Sequence, residues 1–292
     1  MIRFSKYNWL YALISLVVIG TGIYSMVRWG YRVSIDFTGG TEVTYGIGEE
    51  FVDTISKEDI EAGLKSVNAT YQSHEYPDDT SLVVRVSDMD EQSEPQFREA
   101  LAKRTSAQLS LLRLNVVGPV IGQEAIQKTL IAVGLGIMAI LGYIFFAFKR
   151  ASFAFAAVVA LLHDLLVVLG MYSLVGHFFG AQLDTLFVTG LLTTLTFSTH
   201  DTIVIFDKIR EYRKSHPHES IETLSDMAVS ATMARSINNS LTIVFMLVAL
   251  VLLGGSSIRF FAVALLMGTL TGVYSSPFVA APVMMWIEKW RK

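Results

Sequence analysis

The sequence predicts a membrane all-α bundle of six helices, with an extracytoplasmic α+β domain of ferredoxin-like topology inserted between helices 1 and 2. Three observations predict it. Of the 292 residues, 52% are hydrophobic and 17% charged, whereas soluble globular domains carry about 45–50% and about 25%. Six stretches long enough to cross a bilayer are almost free of Asp, Glu, Lys and Arg. The tract between the first two holds most of the acidic residues and alternates short strand and helix patterns. The absence of cysteine excludes a disulfide framework, a thiolate nucleophile and a thiolate metal site. A net charge of −3 leaves no basic footprint, so nucleic acid is not an expected partner.

A bilayer core about 30 Å thick needs about 20 apolar residues of helix. A short N-terminus and the first span occupy 1–29, with a charge-free stretch from Tyr7 to Val27. That stretch exceeds the about 7–15 residues of a signal-peptide core and ends in Met26, Val27, Arg28 and Trp29 rather than at small residues, so it reads as a retained anchor. The second span, 126–148, ends at Lys149. The third, 151–176, is interrupted only by Asp164, and the fourth, 183–206, only by Asp201 from Thr185 onward. The fifth and sixth cover 235–257 and 259–287, and a tail covers 288–292.

Lys and Arg in short loops set orientation. Arg3, Lys6, Lys149, Arg150, Lys208, Arg210, Arg213, Lys214, Lys289, Arg291 and Lys292 fall on one side, and the opposite short loops hold only Arg259. Both termini are therefore expected in the cytoplasm and the tract 30–125 outside it. The segment 207–234, which Pro217 interrupts, is expected to be a cytoplasmic loop carrying a surface helix with Ile221, Leu224, Met227 and Ala228 on its apolar side.

Within 30–125 the strand patterns are Glu42 to Ile47, Ala69 to Glu75, Leu82 to Ser87 and Leu112 to Val117. Helical spacing covers Lys57 to Val67, with Ser56 as N-cap, and Pro95 to Leu109. The order β-α-β-β-α-β is that of the split ferredoxin-like motif. His74 stands alone there and reads as a packing or surface residue. Two glycine motifs flank the domain. One contains Asp36, Gly39 and Gly40, the other Gly118, Pro119 and Gly122. Both are expected to supply positive φ where the chain passes between membrane helix and sheet, and neither is followed by the Gly-Lys-Ser/Thr of a phosphate loop.

A charge at the centre of a membrane helix costs about 2.5–3.5 kcal/mol on insertion scales. Asp164 lies near the middle of the third span, and Asp201 about 9 Å inside the cytoplasmic end of the fourth at about 1.5 Å per residue. Each follows a histidine, His163 and His200. The polar string from Arg235 to Thr242, with Asn238 in it, opens the fifth span. The fourth and fifth spans run antiparallel, so Asp201 and Arg235 are expected at similar depth. Such a pair makes the protonation of the acid depend on how near the guanidinium lies, which is the minimal component of a proton-coupled switch. No other cofactor is expected.

The string from Asp201 to Glu211 resembles the fourth-helix signature of SecF proteins, in the SecD/SecF family of protein-export membrane subunits. The resemblance extends to Ile35 to Thr41, Gly118 to Glu124, Leu162 to Asp164 and Ala234 to Thr242. It implies an RND-like half, in the cytoplasmic membrane of a bacterium, acting as an accessory subunit of the Sec translocase. The implied partners are a SecD-like subunit, the SecYEG channel, a YajC-like small subunit, the translocating preprotein and the lipid bilayer. Such a pair draws on the proton-motive force late in export, and the family's membrane aspartate and arginine fall on Asp201 and Arg235. His200 stands where the family has Asn, which adds a titratable ring beside Asp201. The exchange His200→Asn is expected to shift the pH–activity curve, and coincident curves for variant and parent would refute this.

Three other readings compete. Half of an RND-type lipid or drug exporter needs a substrate cleft that a small outside domain hardly provides. An intramembrane aspartic hydrolase needs two carboxylates sharing a proton and a Gly-x-Gly-Asp loop, which is absent. A passive scaffold needs no acid in the bilayer. Proton-driven assistance to export, without enzymatic catalysis, accounts for the polar residues best.

Overall fold

The structure, a computed structural model, describes residues 3–87, 89–148 and 150–290. Lys149, Arg291 and Lys292, which contribute to the charge bias, lie outside the described residues. In chain order the elements are α1 (Asn8–Arg28), α2 (Ile35–Thr38), β1 (Gly40–Gly46), α3 (Lys57–Leu64), β2 (Thr70–Asp78), β3 (Ser81–Ser87), α4 (Glu94–Thr105) and β4 (Ser110–Val117). Then follow the long helices α5 (Pro119–Phe148), α6 (Ala151–Phe179), α7 (Thr185–Ser215) and α8 (Ile221–Leu253), and finally α9 (Ser256–Ser275) and α10 (Ala281–Trp290). They form two compact units, residues 33–130 and residues 1–32 with 131–292.

The smaller unit is a four-stranded antiparallel sheet in the order β2-β3-β1-β4. Alternation along a strand sends every second side chain to one face. Val43 and Tyr45 of β1 and Leu82, Val84 and Val86 of β3 thus meet Ile60 and Leu64 of α3 and Phe97 and Leu101 of α4 in one core. Arg85, which alternates with Val84 and Val86, is held by Glu42 at 2.6 Å and Glu75 at 2.7 Å. α4 stops at Thr105, short of the Leu109 that the spacing predicts, because Ser106 adopts a left-handed φ of 59°.

Ser56 opens α3 with a capping box, its hydroxyl receiving the Asp59 amide while Asp59 returns a bond to the Ser56 amide. Ser56 and Arg104 together hold the Asp59 carboxyl below the usual carboxylate range. A lowered folded-state value contributes stability above the ordinary carboxylate pKa, which is lost as pH falls through the folded value. Ser56→Ala is therefore expected to cost about 1 kcal/mol and to flatten the acid limb of the unfolding curve. Parallel acid limbs for variant and parent would contradict this role of Ser56.

The two glycine motifs meet inside this unit. Gly39 and Gly40 have the expected positive φ, 73° and 125°. Gly118 and Gly122 do not. Pro119 is the first residue of α5, so the helix starts seven residues before the predicted 126, and Gly122 lies within it. Gly122 is needed for close approach instead: a Cβ there would stand 2.8 Å from the Phe37 carbonyl oxygen and 2.9 Å from the Gly39 amide. Asp36 sits in the short α2, where its amide donates to Ser34 Oγ at 3.1 Å.

Among the described residues, five helical stretches are long and apolar enough to cross a membrane: Phe4–Arg28, Pro119–Phe148, Ala151–Phe179, Ile221–Leu253 and Ile258–Trp290. α7 is equally long but more polar. The segment expected as a loop with a separate surface helix, 207–234, is not one: α7 continues to Ser215 and α8 starts at Ile221, capped by Ser220. Nothing between Phe206 and Ser215 breaks a helix, and Pro217 confines the turn to a few residues. Ile221, Leu224 and Ala228 are buried as the first turns of α8. The last span is divided by a π turn, Ser276–Ala280, around Pro277.

Small residues bring these helices together. Gly22 of α1 and Gly170 of α6 face each other so closely that a Cβ on Gly170 would lie 2.4 Å from Gly22 Cα. Ser25 and Ser173 extend the contact with a 2.8 Å hydrogen bond. Gly268 of α9 fits against Thr194 of α7 in the same way. Phe148, Phe153 and Phe206 pack into one aromatic cluster, with centroids 4.9 to 5.8 Å apart.

Candidate functional site

Two groups of polar residues in the larger unit surround Asp164 and Asp201. The first surrounds Asp164, which is 2% exposed. Its Oδ1 lies 3.0 Å from Nδ1 of His163. Its Oδ2 accepts from Ser198 of α7 and, at 2.8 Å, from Ser275 of α9. His163 Nε2 lies 3.0 Å from Ser15 Oγ of α1, which is 3.3 Å from the Tyr274 hydroxyl. Tyr274 in turn donates to the Tyr11 carbonyl at 2.8 Å. Four helices thus supply one hydrogen-bonded cluster around a buried acid, as burial of a polar group requires.

The second group surrounds Asp201. A small cavity between α7, α8 and the π turn is lined by Asp201, Thr232, Met233, Ser236, Ser276 and Pro277, among others. Ser236 hydrogen-bonds the Asp201 carboxyl group. Thr202 and Ser276 join hydroxyls at 2.9 Å, and Ser276 also donates to the Ser198 carbonyl at 3.2 Å. The two groups therefore share the Ser198 and Ser275–Ser276 region.

The sequence-predicted residues are distributed unevenly. His163 and Asp164 lie together and buried, and Asp201 lines the cavity. Arg235, Asn238 and His200 are exposed. Among the described residues no ion pair joins Asp201 to Arg235, whose side chain is exposed. Asp36, Gly39, Gly40, Gly118, Pro119 and Gly122 belong to the other unit and take no part in the acid sites. Sequence reasoning missed Ser15, Tyr274, Ser275 and Ser276. A hydroxyl in an apolar helix carries little signal, and only the pair Ser275 and Ser276 directly before Pro277 marks the place. Among the described residues no group of three His, Asp or Glu could hold a metal ion.

A family model described as "Protein export membrane protein SecD/SecF, C-terminal" matches residues 97–290. A protein translocase subunit SecF from Thermobaculum terrenum is 35% identical over 99% of this chain and 95% of its own length. A protein translocase subunit SecDF from Thermus thermophilus is 33% identical over 88% of this chain and 35% of its own. The crystal structure of SecDF, described as a translocon-associated membrane protein from the same organism, superposes with a TM-score of 0.84 at 29% identity, covering 99% of this chain and 38% of that one. The chain belongs to the SecD/SecF family of protein-export membrane proteins.

Proposed function

We propose that this chain is an accessory subunit of the Sec translocase that, with a SecD-like partner, uses the proton-motive force to promote late steps of preprotein export across the bacterial cytoplasmic membrane. In this reading α7 is the sixth span, the bundle is an RND-like half with both termini cytoplasmic, and the four-stranded unit is an extracytoplasmic ferredoxin-like domain. SecYEG and a YajC-like subunit are further partners.

The observation that carries the reading is Asp201, half-buried in its cavity with a hydroxyl partner and with the exposed Arg235 on the adjoining helix. An acid in this setting binds a proton when the guanidinium is away and releases it when the guanidinium returns. One charge crossing about 150 mV yields ~3.5 kcal/mol, enough to bias a helix rearrangement. The exposed stripe of α7 supports a partner in the bilayer. Thr189, Thr193 and Thr196 turn their hydroxyls back to carbonyls of their own helix at 2.9, 2.7 and 3.1 Å. Small residues with hydroxyls satisfied in this way suit close helix–helix packing, and the fused SecDF relative carries such a partner in one polypeptide by its name.

The test is export into proteoliposomes holding the channel, this chain and a SecD-type subunit, with a proton gradient imposed after the ATP-driven step is complete. The gradient should drive the stalled preprotein onward only when this chain is present. Equal progress without the chain, or with the gradient collapsed, would overturn the proposal.

A further inference from the structure

We propose that the His163–Asp164 pair is a second proton-binding site of this chain, distinct from Asp201. It deepens the proton-coupled reading above and rests on that reading for its use in export.

The argument is that hydrogen bonding around the pair closes both with and without the extra proton. The groups facing Asp164 are His163 on its own helix, Ser15 and the Tyr11 carbonyl on α1, Ser198 on α7, and Tyr274 and Ser275 on α9. None of them is a lysine or arginine, so His163 is the group that can balance a buried carboxylate. Without the extra proton, His163 Nδ1–H, Ser198 and Ser275 all donate to the carboxylate, and Ser15 donates to His163 Nε2.

The extra proton has two places to rest. On His163, the Nε2–H donates to Ser15, whose own proton turns to the Tyr274 oxygen 3.3 Å away while Tyr274 continues to donate to Tyr11. On Asp164 Oδ2, the new O–H donates to Ser275, whose proton turns to the Gly272 carbonyl, already 3.4 Å from its oxygen. In each case no buried donor or acceptor is orphaned, which is the condition for a buried polar network to change state cheaply. The site therefore gains or loses one proton by rotation of hydroxyls alone.

Ser275 is also the last residue of α9 before the π turn, and its neighbour Ser276 binds Thr202 and lines the Asp201 cavity. Ser275 thus stands one residue from the wall of the first site. Single-turn π segments recur at functional positions in helices.

Infrared difference spectra on stepping pH, recorded on this chain assembled with its SecD-type partner in liposomes, test the proposal. In an Asp201→Asn background, which removes the carboxyl band of the first site, a protonated-carboxyl carbonyl band should persist; adding Asp164→Asn should abolish it, and adding Ser275→Ala should move it to higher frequency. The absence of any such band in Asp201→Asn, or a band that survives in the Asp164→Asn/Asp201→Asn double variant, would overturn the second site. If Asp164→Asn fails to assemble, Ser275→Ala and Ser198→Ala decide: a band unmoved in both would overturn it. The band is read without export, so failure of gradient-driven export with an intact Asp164 band counts against the proposed function alone.

Discussion

Asp201→Asn is expected to abolish the gradient-driven phase of export while leaving the amount of assembled protein unchanged. The substitution keeps the shape of the side chain and its bond with Ser236 but removes the carboxyl group through which the cavity would take up a proton and release it as charge. With no charge change at position 201, approach of Arg235 no longer depends on protonation, and the linkage between proton binding and helix position disappears. Arg235→Lys is expected to give a partial defect, because the ammonium keeps the charge and loses the fork geometry. Export assayed after ATP is exhausted, alongside quantification of the complex in native lipid, separates the outcomes. Normal export by the Asn variant would make the carboxyl group merely structural.

Gly170→Leu is expected to prevent the membrane unit from assembling. Gly22 and Gly170 touch backbone to backbone, so a side chain at either position has no flexible neighbour to displace. Overpacking in a core with room to adjust costs about 1–3 kcal/mol; here α1 and α6 must separate, breaking the Ser25–Ser173 bond and moving Ser15 away from His163. Gly20 on α1, two residues before Gly22, is a natural control, because a Cβ there meets nothing within 4 Å. Size-exclusion profiles in mild detergent should show Gly20→Leu as the parent and Gly170→Leu as aggregate. Equal profiles for both would mean that the helices do not depend on this contact.

Much of this was legible in the sequence because it follows from periodicity and cost. The strands of the smaller unit alternate, and its helices repeat at helical spacing around Ile60, Leu64, Phe97 and Leu101, so their order could be read directly. Asp164 and Asp201 stood out because a charge in an apolar run is expensive. Boundaries set by local backbone were not legible. Pro119 reads equally as a loop residue or as the first residue of a helix, and nothing in the pattern tells that Ser106 would take a left-handed conformation. The segment from Asp207 to Ser215 looks like a loop because it is charged, yet charge is compatible with a helix that extends beyond the bilayer. The role of Gly122 depends on a partner more than eighty residues away in sequence, at Phe37 and Gly39. The serines around Asp164 come from three other helices, and only the packed bundle brings them together.

The central claim is that a proton bound at Asp201 is consumed as the subunit does its work. The most direct measurement is proton flux into proteoliposomes carrying the channel, this chain and a SecD-type partner, monitored with an internal pH dye while a preprotein is being translocated. Flux that rises with translocation in the parent and falls to the empty-liposome level in Asp201→Asn is the predicted result. Flux that is the same in both proteins would contradict it.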